Sequence, residues 1–150
     1  MTFRAAFYKA TRPGLQGLYS RAVRLVDGGP YSHCELVFSD GLSASASYTD
    51  GGVRFKHIEY DPTHWDFISM PNRLEPLAYN WFVSHQGAKY DLAGNVRFVA
   101  PWATRDAKDR WFCSEAVAAA VGWEEPWRFG PNGLASHLRW LNNYAPIWNV

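Results

Sequence analysis

Tyr31-Ser32-His33-Cys34-Glu35-Leu36-Val37-Phe38, closed by the turn Ser39-Asp40-Gly41, reads as a buried β-strand with an imidazole at its head. Side chains alternate along a strand, so Cys34, Leu36 and Phe38 share one face while His33, Glu35 and Val37 share the other. The segment that completes the pattern lies far downstream. Cys113-Ser114-Glu115-Ala116-Val117-Ala118-Ala119-Ala120 reads as a small-residue helix with a thiol at its first position. There the sulfur feels the positive end of the helix dipole, which lowers its pKa and favours thiolate. An imidazole on a neighbouring strand can accept the thiol proton, giving a cysteine nucleophile with its base. Each residue also has a plain structural alternative. Cys113 reads equally as a buried core cysteine, and His33 as a core histidine satisfied by a backbone carbonyl.

Working outward, residues 2–9 read as a strand broken by Arg12-Pro13-Gly14. Residues 15–26 carry apolar side chains at 15, 18, 22, 25 and 26, a helical spacing ended by Asp27-Gly28-Gly29-Pro30. Strands follow at 31–38, 42–48, 53–58 and 65–70, separated by Ser39-Asp40-Gly41, Asp50-Gly51-Gly52 and Asp61-Pro62. That spacing predicts an antiparallel meander. The second half is helical, at 75–86 with Pro76 in the first turn, at 113–121, and at 131–142 with Leu134, Leu138 and Leu141 on one face. Residues 90–99 read as irregular chain or a short helix. The whole is an α+β chain of one domain, residues 1–150, with a β-meander packed against helices, one of them carrying Cys113.

Composition narrows the function classes. The chain has 150 residues with 47% hydrophobic side chains, enough for one real core. Aromatics reach 17%, with 8 Trp, so some are expected to line a cleft. A net charge of +1 with scattered Lys and Arg gives no footprint for nucleic acid or an anionic membrane. No stretch approaches the roughly 20 apolar residues of a membrane span, and the N-terminus lacks a signal-peptide pattern, so the expected location is cytoplasmic. The two cysteines, Cys34 and Cys113, exclude a disulfide framework. His33, His57, His64, His85 and His137 show no metal-ligand spacing, and no phosphate loop, dinucleotide fingerprint or serine elbow occurs. Neither a metal nor a cofactor is expected.

An imidazole base needs a partner that fixes its orientation. Glu35 shares the His33 face, and Ser43, Ser45 and Ser47 share one face of the next strand. The serines also read simply as small residues that let something pack closely.

Three segments occur in order: Tyr31-Ser32-His33-Cys34-Glu35-Leu36-Val37, Gly87-Ala88-Lys89-Tyr90-Asp91-Leu92 and Trp111-Phe112-Cys113-Ser114-Glu115-Ala116-Val117. Together they resemble the circularly permuted, YiiX/LRAT-like branch of the NlpC/P60 superfamily of papain-like enzymes. The resemblance covers roughly residues 31 to 121. It implies a permuted papain-like fold with Cys113 as nucleophile and His33 as base. It also implies a third polar residue on the strand after the His strand, where this chain offers only serines. Ser45 is therefore expected first, with Glu35 as the other candidate. Small proteins of this pattern occur in bacteriophages.

The activity implied is hydrolysis or acyl transfer on a peptide, amide or acyl substrate through a thioester. The Cys113 N–H would hold the oxyanion, aided by the Tyr31 hydroxyl. Asp91 is expected to fix the loop beside the cleft, and Trp65, Trp102 and Trp111 to line an apolar groove. The competing reading is a papain-like module that binds a protein partner without turnover, such as a phage-type inhibitor of a host factor. A thiol switch between Cys34 and Cys113 is a third, weakened by the absence of a CxxC motif. Cys34, alternating with His33, is expected to face the packed side and stay inert.

Overall fold

The computed structural model describes residues 2–11, 14–91 and 109–145. In chain order the elements are β1 (Arg4–Tyr8), α1 (Leu15–Val26), β2 (His33–Val37), β3 (Leu42–Ser47), β4 (Gly52–His57) and β5 (Trp65–Ser69). They continue with α2 (Glu75–His85), β6 (Lys89–Tyr90), β7 (Arg110–Trp111), α3 (Cys113–Ala120) and α4 (Pro131–Tyr144). This is a mixed α+β architecture built on a seven-stranded, mostly antiparallel sheet in the order β5-β1-β2-β3-β4-β6-β7. Among the described residues no helix is long and apolar enough to cross a membrane.

The expected four-strand meander is half right. β2, β3 and β4 pair in sequence, joined by the turn at Gly41 and by Asp50-Gly51-Gly52. β5 instead crosses to the other edge and pairs antiparallel with β1, Arg4 opposite Ser69 and Tyr8 opposite Trp65. β1 buries both faces between two neighbours, and only a non-local strand can fill its second side. The two-residue strands β6 and β7 run parallel, Tyr90 beside Trp111, and Asp91 N–H bonds the Trp111 carbonyl at 3.0 Å. Of the residues expected to be irregular or helical, Tyr90 is thus in a strand; residues 92–99 lie outside the described residues.

Alternation sorts the sheet as the strand pattern predicts. Phe7, Cys34, Leu36, Ala44, Ala46 and Val53 join the main core with Phe82, Cys113, Val117, Leu134 and Leu138 from the helices. The opposite face carries a smaller cluster of Ala6, Val37 and Trp65, flanked by Tyr8, Tyr60 and Phe67. α1 does not follow its apolar spacing. Leu18, Leu25 and Val26 are exposed, while Gly17 and Ser20 are buried. The polar face turns inward because Arg24 there serves the Lys9 carbonyl at 2.9 Å and the Thr11 hydroxyl at 2.5 Å.

Gly52 is the tightest joint of the sheet edge. Its φ is +145°, and a Cβ there would lie 2.0 Å from the Ala88 carbonyl oxygen, which abuts β4 just before β6. Gly52→Ala is therefore expected to lower stability by about 1–3 kcal/mol in a urea titration, through strain and a backbone clash together. A variant as stable as the parent would show that β6 does not dock this closely.

Candidate active site

The site forms where β2 and β3 part. Their ladder holds only at Leu36 with Ala44 and Val37 with Ser43. Beyond that, toward the head of β2, Cys34 has no strand partner on this side, and its carbonyl is satisfied otherwise. The Ser45 hydroxyl donates to the Cys34 carbonyl at 2.7 Å. Cys113, the first residue of α3, lies in the same buried core cluster as Cys34.

The Cys113 sulfur lies on the core side of β2 with Cys34, and its charge is felt by His33. The Cys34 thiol hydrogen-bonds to it. The Cys34 hydrogen bond is the leading cause holding the Cys113 pKa well below its usual value, against burial, with the His33 charge and hydrogen bond adding to it. Cys34 itself is pushed well above the usual thiol range, by burial first and then by the neighbouring Cys113 charge. The pair is one thiolate and one thiol that donates to it.

His33 is held by a carboxylate on its own strand. Its Nε2 lies 2.7 Å from Glu35 Oε1, which leaves Nδ1 as the nitrogen for the sulfur. Glu35 is 1% exposed. Arg54 grips both of its oxygens, with Nη1 at 2.6 Å from Oε2 and Nη2 at 2.6 Å from Oε1. Burial opposes the Glu35 charge, yet Arg54 and then His33 lower its pKa overall. Burial likewise opposes the His33 charge, but Cys113 and then Glu35 outweigh it and raise the imidazole pKa to about 9. Both shifts favour a thiolate–imidazolium pair at neutral pH, with the imidazolium donating to the Glu35 carboxylate.

The structure brings together Cys113, His33 and Glu35 and sets the other expected site residues apart. Ser45, expected first as the partner of His33, donates to the Cys34 carbonyl instead, because the open ladder there needs a donor. The Tyr31 hydroxyl donates to Asp66 Oδ2 at 2.6 Å and accepts from Arg139, so its proton is committed away from an oxyanion. Asp91 is 2% exposed, its N–H bonds the Trp111 carbonyl, and it does not line the cleft beside His33. Trp111 packs edge-on against Trp81 at 4.8 Å and against His85 at 5.4 Å, on the α2 side. Trp102 lies outside the described residues. Cys34 faces the packed side as expected, but that side also holds the Cys113 sulfur.

A cleft of about 270 Å³ opens on the His33 face, lined by His33, Glu35, Asp50, Arg54, Lys56 and Trp65. Trp65 stands edge-on to the imidazole with ring centres 6.3 Å apart. Arg54, Asp50 and Lys56 were not anticipated. The available signal was the alternation Val53, Arg54, Phe55, Lys56 opposite a strand of serines, which leaves room for long side chains on one face. No family model matches the chain, and no curated protein matches it.

Two substitutions separate the roles of Glu35 and Ser45. Glu35→Gln removes the carboxylate charge from His33, so the imidazole pKa falls from about 9 toward its ordinary value and the thiol pKa rises. The low-pH limb of the window of fast Cys113 alkylation by iodoacetamide should move upward. Ser45→Ala should leave the position of that window unchanged, and the opposite pattern would reinstate Ser45 as the partner. Cys34→Ala removes a donor to the thiolate, so alkylation of Cys113 should slow below neutral pH, by about tenfold for each unit that its pKa rises.

Proposed function

We propose that the protein is a cysteine hydrolase or acyltransferase of permuted papain-like fold, acting on an amide or ester carbonyl. The observation that carries this reading is the His33 Nε2–Glu35 Oε1 contact at 2.7 Å, made by the same ring that feels the Cys113 charge. A core histidine needs one carbonyl; this one is held between an acidic thiol and a buried carboxylate.

The chemistry follows from the charges. The Cys113 thiolate attacks the carbonyl carbon, and the electron pair moves to oxygen. The N–H of Cys113, at the first helical position of α3, has no acceptor within the helix and points along the positive dipole end toward that oxygen. The His33 imidazolium then passes its proton to the leaving amine or alkoxide as the tetrahedral intermediate collapses to a thioester. Neutral His33 next removes a proton from water, or from an acceptor alcohol or amine, and the thioester carbonyl is released from sulfur. Glu35 keeps the ring oriented through both steps.

One observation favours a second reading, a papain-like module that binds a partner without turnover. Cys113 is 3% exposed, so little of the sulfur meets solvent. p-Nitrophenyl acetate decides between them. An enzyme gives a burst of nitrophenol near one equivalent and an acetyl adduct on Cys113 by mass spectrometry, both lost in Cys113→Ala and His33→Ala. A folded protein that yields neither burst nor adduct supports the binding module.

A further inference from the structure

β3 lies between β2 and β4, so Arg54 on β4 must cross a whole strand to reach Glu35 on β2. Two strand spacings are about 10 Å, close to the combined reach of an arginine and a glutamate. The residue crossed is Ser45, the register partner of Arg54. A hydroxymethyl group there leaves the path open, and Ala6 is the small neighbour of Glu35 on β1. On its outer side Arg54 is steadied in turn, with Nε 2.8 Å from Asp50 Oδ2 while Lys56 Nζ holds Asp50 Oδ1 at 2.9 Å. Charges alternate without a break from Cys113 through His33, Glu35, Arg54 and Asp50 to Lys56.

We propose that Arg54, braced by Asp50, is a positioning residue that keeps Glu35 ionised and aimed at His33, and that the reactivity of Cys113 depends on it. The inference rests on the Cys113–His33–Glu35 reading. Arg54 grips the carboxylate at both oxygens and acts through it. With the guanidinium gone, Glu35 Oε2 loses its ion-pair partner in a buried site, and the carboxylate takes up a proton rather than stay charged. His33 then loses the charge that favours imidazolium, and the thiolate loses the imidazolium.

Among the described residues, His57 and Glu59 line the same cleft, and Arg4 on β1 acts on Tyr60. Tyr60, packed on the same face, feels the Glu35 charge, and Tyr19 and Asp27 feel the Cys113 charge. Cys34 hydrogen-bonds the sulfur directly. Among the described residues the ion pairs of Glu35 are to Arg54 and His33, and neither Arg4 nor His57 pairs with it.

The test is the pH profile of Cys113 alkylation by iodoacetamide in the intact chain. Arg54→Gln should move the low-pH limb upward by about one unit or more, which is about a tenfold slower reaction below it. Arg54→Lys should recover part of the shift, since an ammonium restores the charge without the two-point grip. In a Glu35→Gln background, Arg54→Gln should add nothing, because the path through the carboxylate is already cut. Should Arg54→Gln fail to fold, Asp50→Asn reads the same link from its half-exposed end and should shift the limb in the same direction by less. An Arg54→Gln profile that overlays the wild type, an equal shift in both backgrounds, or an Asp50→Asn profile that does not move overturns the proposal. If wild-type Cys113 is itself unreactive across the range, the parent reading fails instead.

Discussion

A carboxylate that is 1% exposed stays charged only if its surroundings replace the water it has lost, and for Glu35 they do so with two cations. Arg54 binds both oxygens and His33 shares one of them. The rest of the site follows from that choice. An ionised Glu35 adds to the Cys113 charge in raising the His33 pKa, and the His33 charge adds to the Cys34 hydrogen bond in lowering that of Cys113 against burial.

The fold supplies this arrangement by leaving part of the sheet unpaired. Had β2 and β3 laddered along their full length, the Cys34 carbonyl would have bonded to a strand rather than to the Ser45 hydroxyl. Ser45 performs the compensating task, donating to the Cys34 carbonyl across the opening while staying small enough for Arg54 to pass. The short parallel pair β6–β7 delivers the chain to the start of α3 one residue before the thiol. Asp27 and Asn132 fix the approach to β2 from the other side. The Asn132 amide oxygen accepts from the Tyr31 N–H at 2.8 Å, and its amide nitrogen donates to the Tyr31 carbonyl at 2.9 Å and to Asp27 at 2.8 Å.

Much of this was legible in the sequence, and the omissions have physical causes. The strand bearing His33, the helix headed by Cys113 and the hairpins between β2, β3 and β4 are local features marked by alternation, small residues and Gly-containing turns. The placement of β5 beside β1 depends on which edge lacks a neighbour, which no local pattern records. β6 and β7 have two residues each, too few for a period. α1 shows the limit of amphipathic spacing, since its apolar stripe faces outward while Arg24 satisfies a carbonyl on the inner side. His33 and Glu35 sharing a face was plain from alternation alone. Preferring Ser45 over Glu35 came from the resemblance, and it failed because the sequence does not reveal that the β2–β3 ladder opens there. Arg54 was invisible for a related reason: its partner lies two strands away.

NMR titration of the His33 ring nitrogens in the wild-type protein tests the central claim most directly, because it reads the charge on the imidazole without requiring a substrate. A ring held between thiolate and carboxylate stays an imidazolium through neutral pH and releases its proton near pH 9, with both nitrogens protonated below that point. Titration near the ordinary value of about 6.5, with one nitrogen already bare at neutral pH, would contradict the ion pair and with it the activated Cys113.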